Sequence, residues 1–93
     1  MDGTLTYWVP EGGNRLKSLT LTVCSRGEDS GCGLAERRRR RLSRILSEAV
    51  AQGARLSYRD LSIIMLASRA TLKRDVSHLR RQGVTVLLGG RRI

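Results

Sequence analysis

The chain has 93 residues, enough for one small domain but marginal for a large buried core. Its formal net charge at pH 7 is +10. Residues 1–33 hold three Lys or Arg against four acids, a net of −1, whereas residues 34–93 hold fifteen against four, a net of +11. This asymmetry predicts an anionic partner for the second part, either nucleic acid or an anionic membrane surface.

Several classes of protein are disfavoured. No apolar run approaches the roughly 20 residues of a membrane-spanning helix, and the N-terminus lacks a signal-peptide pattern, so we expect a cytoplasmic protein with no membrane partner. Paired catalytic carboxylates and a phosphate-binding glycine loop are missing from the sequence, which has only one histidine. We therefore predict a non-enzymatic protein with no catalytic residues and no cofactor.

Two cysteines, Cys24 and Cys32, flank the segment SRGEDSG. A zinc site needs about four ligands, and the sequence adds only the distant His78 to these thiols, so we predict no metal site. Without a secretion signal we expect reduced thiols, although a disulfide closing this short loop is sterically allowed.

The first part of the chain has the pattern of a β-hairpin. Alternating β-branched and apolar residues occur in LTYWV (5–9) and in LKSLTLTVC (16–24), and the turn-forming segment PEGGN lies between them. A polar, glycine-rich stretch follows. We assign residues 1–33 to a β-hairpin and a polar loop.

From Leu34 the apolar residues recur at helical spacing. A buried face is predicted at Leu42, Ile45, Leu46, Ala49 and Val50. Gly53 should end this first helix. A second, short helix is predicted to start after Ser57, with Asp60 completing a capping box, and to end near Leu66.

A third helix is predicted at 69–82, capped by Ser68 and ended by Gly83. Its buried stripe is Leu72, Val76 and Leu79. The opposite face carries Ala70, Arg74, Ser77 and Arg81, with Lys73 and His78 at the flanks.

The pattern beyond Gly83 predicts a strand at residues 84–88, a turn at 89–90 and the start of a returning strand at 91–93. The predicted fold is therefore α+β: a hairpin, three helices and a short or truncated second hairpin.

The segment LSIIMLASRATLKRDVSHLRRQGVTVLLGG resembles the winged helix-turn-helix of DeoR-type repressors. The matching positions are Leu61, Ser62, Ile64, Met65, Ser68, Thr71, Leu72, Lys73, Arg74, Asp75, Val76, Leu79 and Gly83. The longer run 48–86 also resembles an uncharacterised, mostly archaeal family of prokaryotic helix-turn-helix proteins, and we expect that likeness to extend upstream through the arginine run.

The resemblance implies that residues 34–93 form a winged helix-turn-helix DNA-binding domain, with the basic helix in the major groove. Two departures matter. Leu66 stands where the repressor pattern often has Gly, so the turn needs another backbone conformation or strain. The chain also ends at Ile93, inside the wing, where relatives continue, so a fragment or truncated product lacking a C-terminal domain is one interpretation.

Within the basic helix, Arg74 and Arg81 are the strongest candidates for base or backbone contacts, because a guanidinium fits both guanine edges and phosphates. Asp75 is expected to orient Arg74 by a salt bridge, and Thr71 to contact a phosphate or complete the helix cap. The predicted DNA-binding residues are Arg69, Ala70, Thr71, Lys73, Arg74, Ser77, His78, Arg81, Arg37, Arg38, Arg41 and Arg91.

Five successive arginines at 37–41 cover the full circumference of a helix near its positive end, and Arg37 and Arg41 repel each other at i, i+4. Something anionic should offset that repulsion. DNA phosphate is the natural candidate, and a solvated, partly frayed helix end is the alternative.

The sequence thus predicts sequence-specific binding of double-stranded DNA, most simply in transcription regulation. The alternatives are the DNA-recognition part of a transposase or recombinase, an RNA- or ribosome-associated basic module, and an assembly domain whose hairpin edge pairs with itself as a homodimer. A stacking platform for single strands is disfavoured, since only three residues are aromatic and none lies in the basic helix.

Overall fold

The structure, a computed structural model, describes residues 3–12, 15–24 and 33–89. Its elements in chain order are β1 (Gly3–Gly12), β2 (Arg15–Cys24), α1 (Leu34–Ala51), α2 (Tyr58–Met65) and α3 (Arg69–Arg81). The predicted α+β order of an N-terminal hairpin followed by three helices is confirmed.

The hairpin pairs β1 and β2 antiparallel, with Thr6 opposite Thr20. β1 continues through Pro10 to Gly12, so the strand includes residues that the sequence assigned to the turn. Alternation along β2 is as expected for a half-buried strand: Leu19 and Leu21 are fully buried, whereas Thr20 between them is exposed. One face of the hairpin therefore contributes to the core.

Side chains of α1 and of its C-cap residue Gln52 cover the outer edge of β2. Gln52 accepts the N–H of Thr20 at 2.9 Å and donates to its carbonyl at 2.8 Å. Glu48 accepts the N–H of Thr22 at 2.7 Å, and Arg44 donates to the Thr22 carbonyl. Because an isolated two-stranded hairpin is marginally stable at best, these contacts help to fix it to the helices.

α1 buries most of its predicted apolar face. Leu42, Ile45, Leu46 and Ala49 are buried. Val50 is 38% exposed, so its assignment to that face is wrong. Eight residues carry Val50 about 80° round the helix from Leu42, which moves it off the packed stripe. Gly53, with φ of 84°, follows the helix end in the left-handed conformation that the sequence led us to expect.

The capping box of α2 is present. Ser57 Oγ accepts the N–H of Asp60 at 3.2 Å, and an Asp60 oxygen accepts the N–H of Ser57 at 3.0 Å. Leu66 ends the helix with φ 54° and ψ 42°, so this turn uses the left-handed conformation without glycine. That conformation costs a non-glycine residue roughly 1–2 kcal/mol. Ser62 Oγ, which donates to the Ala67 carbonyl at 2.6 Å, helps to hold the turn.

α3 begins and ends as predicted. Ser68 Oγ accepts the N–H of Thr71 at 3.2 Å, and Gly83 has φ of 86°. A single hydrophobic core joins the hairpin to all three helices. It consists of Val9, Leu19, Leu21, Leu42, Ile45, Leu46, Ala49, Leu56, Leu61, Leu72, Val76, Leu79 and Val86.

The predicted strand at 84–88 is wrong, because the structure has no strand in 84–89. The segment is held by isolated bonds instead of a ladder: Arg80 donates to the Val86 carbonyl at 3.1 Å, and the Gly89 N–H donates to the Leu56 carbonyl at 2.9 Å. High β-propensity alone does not make a strand without a partner to pair along its length.

Gly89 is required by this close approach. A Cβ at that position would lie 2.6 Å from the Arg55 carbonyl oxygen, inside van der Waals contact. The rest of the predicted wing, residues 90–93, lies outside the described residues.

Candidate nucleic-acid interface

An open groove of about 610 Å³ lies between the N-terminal half of α1 and the outward side of α3. We call it the basic groove. Its lining residues are Arg38, Arg39, Thr71, Lys73, Arg74, Asp75, Ser77, His78 and Arg81. Five of these side chains are Lys or Arg and one is a carboxylate, so the groove as a whole attracts anions.

Asp75 forms the connection between the two helices at this groove. It is 2% exposed and is the one buried charged residue in the described part of the chain. Arg38 holds it with two donors, Nη2 at 2.8 Å from Oδ1 and Nε against Oδ2. These hydrogen bonds raise the pKa of Arg38 above its ordinary value. The pair is a bidentate cross-link from α1 to α3.

The expected salt bridge from Asp75 to Arg74 is wrong. Asp75 follows the buried Leu72 by three residues and adjoins the buried Val76, so it lies on the inner side of α3. Arg74 is exposed. Adjacent residues on a helix point about 100° apart, so the side chain of Asp75 points towards α1 and not towards Arg74.

Protein carboxylates supply part of the anionic charge that the arginine run requires. Arg39 lies 3.3 Å from Glu36 and 3.9 Å from Asp75, and Arg40 lies 3.7 Å from Glu36. Glu36 is in the first turn of α1, where a negative charge also interacts favourably with the helix dipole. Phosphate is therefore not needed to offset the whole run.

The structure divides the arginine run between two sides of α1. Arg38 and Arg39 line the basic groove. Arg37 and Arg41 do not line it, and helical spacing puts them on the same stripe as Arg44 and Glu48, whose side chains bond to the hairpin. In the part of the chain described, Nε of Arg37, Arg39 and Arg41 is buried without a hydrogen-bond partner.

Six predicted residues of α3 come together in the groove: Thr71, Lys73, Arg74, Ser77, His78 and Arg81. Arg74 and Arg81 are exposed, and neither has an ion-pair partner among residues 3–12, 15–24 and 33–89. Thr71 serves the local cap, because its hydroxyl accepts from Ser68 Oγ at 3.0 Å. Within the basic groove, these two guanidinium groups are the cations most available to a ligand.

An aromatic ring lies beside the basic helix although its own sequence has none. Lys73 Nζ is 5.8 Å from the centroid of the Tyr58 ring, a cation–π distance. Arg69 lines a neighbouring hollow of about 700 Å³ with Arg55 and Arg59. Positive charge therefore continues past the N-terminus of α3.

Two of the remaining predicted residues are not among those that line the groove in the described part of the chain. Ala70 is exposed on the first turn of α3 but does not line the groove, and Arg91 lies outside the described residues. The sequence reasoning missed Arg39 as a groove residue. The signal was present: Arg38 and Arg39 precede the buried Leu42 by four and three residues, which places them on the side of α1 that packs inward.

Other candidate sites are not supported in the described part of the chain. It holds no group of three or more His, Cys, Asp or Glu residues arranged to bind a metal, and none of its helices is long and apolar enough to cross a membrane. Cys32 and the side chain of Cys24 lie outside the described residues, so the state of the thiols stays a prediction.

A protein-family model described as "Protein of unknown function (DUF1670)" matches residues 12–92. The chain belongs to this family. Membership of an uncharacterised family is thus confirmed, and the match includes the arginine run as expected. No curated protein and no solved structure matches the chain. The DeoR-type and winged helix-turn-helix resemblance stays a prediction.

Proposed function

We propose that the chain binds double-stranded DNA sequence-specifically through the basic groove, with α3 in the major groove, and that it regulates transcription. The observation that carries the proposal is the convergence of arginines from α1 with the basic face of α3 around one open groove. In a helix-turn-helix protein the second helix of the motif enters the major groove while an earlier helix lies against the backbone.

The short connection between α2 and α3 supports this arrangement. Only residues 66–68 separate the two helices. The left-handed Leu66 and the Ser68 cap turn the chain sharply into α3. A three-residue turn of this kind is typical of a helix-turn-helix.

Arg74 and Arg81 are the proposed readers. Because neither is engaged by a carboxylate in the described chain, no internal ion pair has to break before they meet a base edge or a phosphate. They lie seven residues apart, two helical turns on one face, about 10.5 Å along the axis. Lys73, held beside Tyr58, is the proposed phosphate contact.

α1 contributes differently. Arg38 uses Nε and Nη2 on Asp75, so its charge is largely neutralised within the protein and its remaining donors add hydrogen bonds more than attraction. Arg39 shares its carboxylates with Arg38 and Arg40. We expect Arg39 to be the stronger phosphate contact of the two.

Competition binding at one fixed salt concentration tests the proposal. A labelled DNA duplex is bound first and then displaced by duplex DNA, single-stranded DNA or RNA hairpins of equal length. We expect duplex DNA to compete best, because the groove is dominated by arginine and lacks a row of aromatic side chains for stacking bases.

Two variants make this test specific to the groove. Arg74→Gln removes one proposed reader and should weaken duplex binding, whereas the matched control Arg15→Gln removes one exposed hairpin charge and should change it little. Tighter binding of RNA hairpins than of duplex DNA would favour the RNA-associated alternative. Equal losses in both variants would reduce the interaction to non-specific charge attraction.

A further inference from the structure

The hydrogen bonds of β2 show which backbone groups of β1 point away from the hairpin. Thr20 and Thr22 of β2 direct their N–H and C=O groups away from β1, to the side chains of Gln52, Glu48 and Arg44. Thr20 and Thr22 therefore form non-hydrogen-bonded pairs with β1. Their partners in β1 are Thr6 and Thr4. By the same alternation, the N–H and C=O groups of Thr4, Thr6 and Trp8 point away from β2.

Within the described residues this edge of β1 has no strand beside it, since the sheet has two strands only. The two edges therefore differ. Gln52, Glu48 and Arg44 cover the edge of β2, whereas none of the bonds among the described residues satisfies the outward groups of β1.

Protection of the β1 edge is confined to its ends. Exposed edge strands are normally protected by charged side chains, proline or bulges. Here the register is irregular between Gly3 and Thr4, and Pro10 supplies no N–H. Residues 4–9 between them carry no charge, and Trp8 is 59% exposed. That window is available for pairing.

We propose that β1 pairs antiparallel with β1 of a second copy of this chain, about a two-fold axis at Thr6, to form a four-stranded sheet. The outward residues of the open window, Thr4, Thr6 and Trp8, are symmetric about Thr6. Pairing about that centre sets Thr6 against Thr6 of the partner subunit and Thr4 against Trp8 of the partner subunit. All the outward groups then gain partners.

Side chains on both faces fit this register. On the inner face Leu5 comes opposite Tyr7 of the partner subunit. In the single chain, Leu5 and Tyr7 are each only half-buried. The apolar inner face would therefore extend across the axis. On the outer face threonine and tryptophan are neighbours, a favourable class of cross-strand contact.

The charge distribution favours association of two copies through the hairpin and not through residues 34–93. Two chains of net charge +10 repel each other, and all of that net positive charge lies in residues 34–93, whose net charge is +11. Residues 1–33 have a net charge of −1, so pairing through β1 joins the least repulsive parts of two cationic chains. The interface is small, and we expect a dissociation constant on the order of 10–100 µM.

Sedimentation equilibrium of the full chain without nucleic acid tests the proposal, so its outcome does not depend on DNA binding. The wild-type chain should pass from monomer to dimer with rising concentration. Thr6→Lys and Thr6→Glu should each stay monomeric, because the axis places like charges about 5.5 Å apart between Cα atoms. Mixed in equal amounts, these two variants should restore a dimer.

Thr20→Lys is the matched control. Thr20 lies directly across from Thr6 and is also exposed, but on β2 its copies would be roughly 14 Å apart across the new sheet. At physiological salt, where the screening length is about 8 Å, it should not prevent association. Circular dichroism of each variant checks that the hairpin remains folded.

Three results would each overturn the proposal. The first is a wild-type chain that stays monomeric up to about ten times the upper expected dissociation constant. The second is a Thr6→Lys and Thr6→Glu mixture that remains monomeric. The third is a Thr20→Lys variant that dissociates as fully as Thr6→Lys.

Discussion

The arginine run of α1 and the basic face of α3 carry similar charge but have different surroundings. Arg38, Arg39 and Arg40 each lie within 4 Å of Glu36 or Asp75. On α3, Arg74 and Arg81 have no carboxylate partner among the described residues. The longer basic run in sequence is thus the more structural one.

The difference teaches that charge density along a sequence does not measure charge available to a ligand. A bidentate pair to a nearly buried carboxylate holds two helices together and offsets its own charge. The charge of an exposed guanidinium without a carboxylate partner is available to bind an anionic ligand.

The largest effect is expected from removing the buried carboxylate. Asp75→Asn leaves Arg38 and Arg39 close together without a full anionic partner, and we expect the free energy of unfolding to fall by about 2–3 kcal/mol. Urea unfolding measures this. Ser77→Ala, on the exposed side of α3, is the control and should change stability by less than about 0.5 kcal/mol. Similar small changes in both variants would mean that the cross-link is not structural.

On the α3 side, Arg74→Ala should cost about 1–3 kcal/mol of binding free energy and flatten the preference at one position of the DNA site. Lys73→Ala should weaken all sequences alike, as a phosphate contact does. Binding to a selected site and to its single-base variants separates these outcomes. Equal and sequence-independent losses would remove Arg74 from base reading.

A smaller effect is expected from the arginines on the hairpin side of α1. Replacing Arg37 and Arg41 with Gln keeps helix propensity nearly constant. Because they do not line the groove, the slope of log affinity against log salt should change by less than about 0.5, whereas two lost phosphate contacts would lower it by about 1.8.

The comparison variant for this measurement is Lys73→Gln, which removes the proposed phosphate contact of α3, and its slope should fall by about 0.9. An equal reduction for each arginine removed in the Arg37 and Arg41 double variant would show that the arginine run contacts phosphates as the sequence alone suggested. The contrast between α1 and α3 would then fail.

The smallest effect is expected at Glu36, whose side chain is 40% exposed beside Arg39 and Arg40. Glu36→Gln should lower stability by about 0.3–0.5 kcal/mol, as exposed helix pairs and first-turn acids do. Raising the salt to about 0.5 M should reduce this loss, because screening acts on exposed charges. The loss in Asp75→Asn should persist in the same salt. A Glu36 effect as large as that of Asp75 would contradict the ranking.

Local patterns predicted most of the fold. The Ser57 and Ser68 caps, the ends of α1 and α3 at Gly53 and Gly83, and the stripe of Leu72, Val76 and Leu79 all follow from interactions within a few residues. The strand expected at 84–88 did not form, because strand formation depends on a partner that propensity cannot supply.

The sequence by itself determined the order of the hairpin and the three helices, the capped ends of the helices, the strongly basic character of residues 34–93 and the outward side of α3. These depend on periodicity, capping and composition, which act over short chain distances. Tertiary structure decided which arginine meets Asp75, how the run at 37–41 divides between groove and hairpin, and which strand edge stays open. Those outcomes depend on contacts between residues far apart in sequence, such as Arg38 with Asp75 and Thr20 with Gln52, and spacing along the chain cannot specify them.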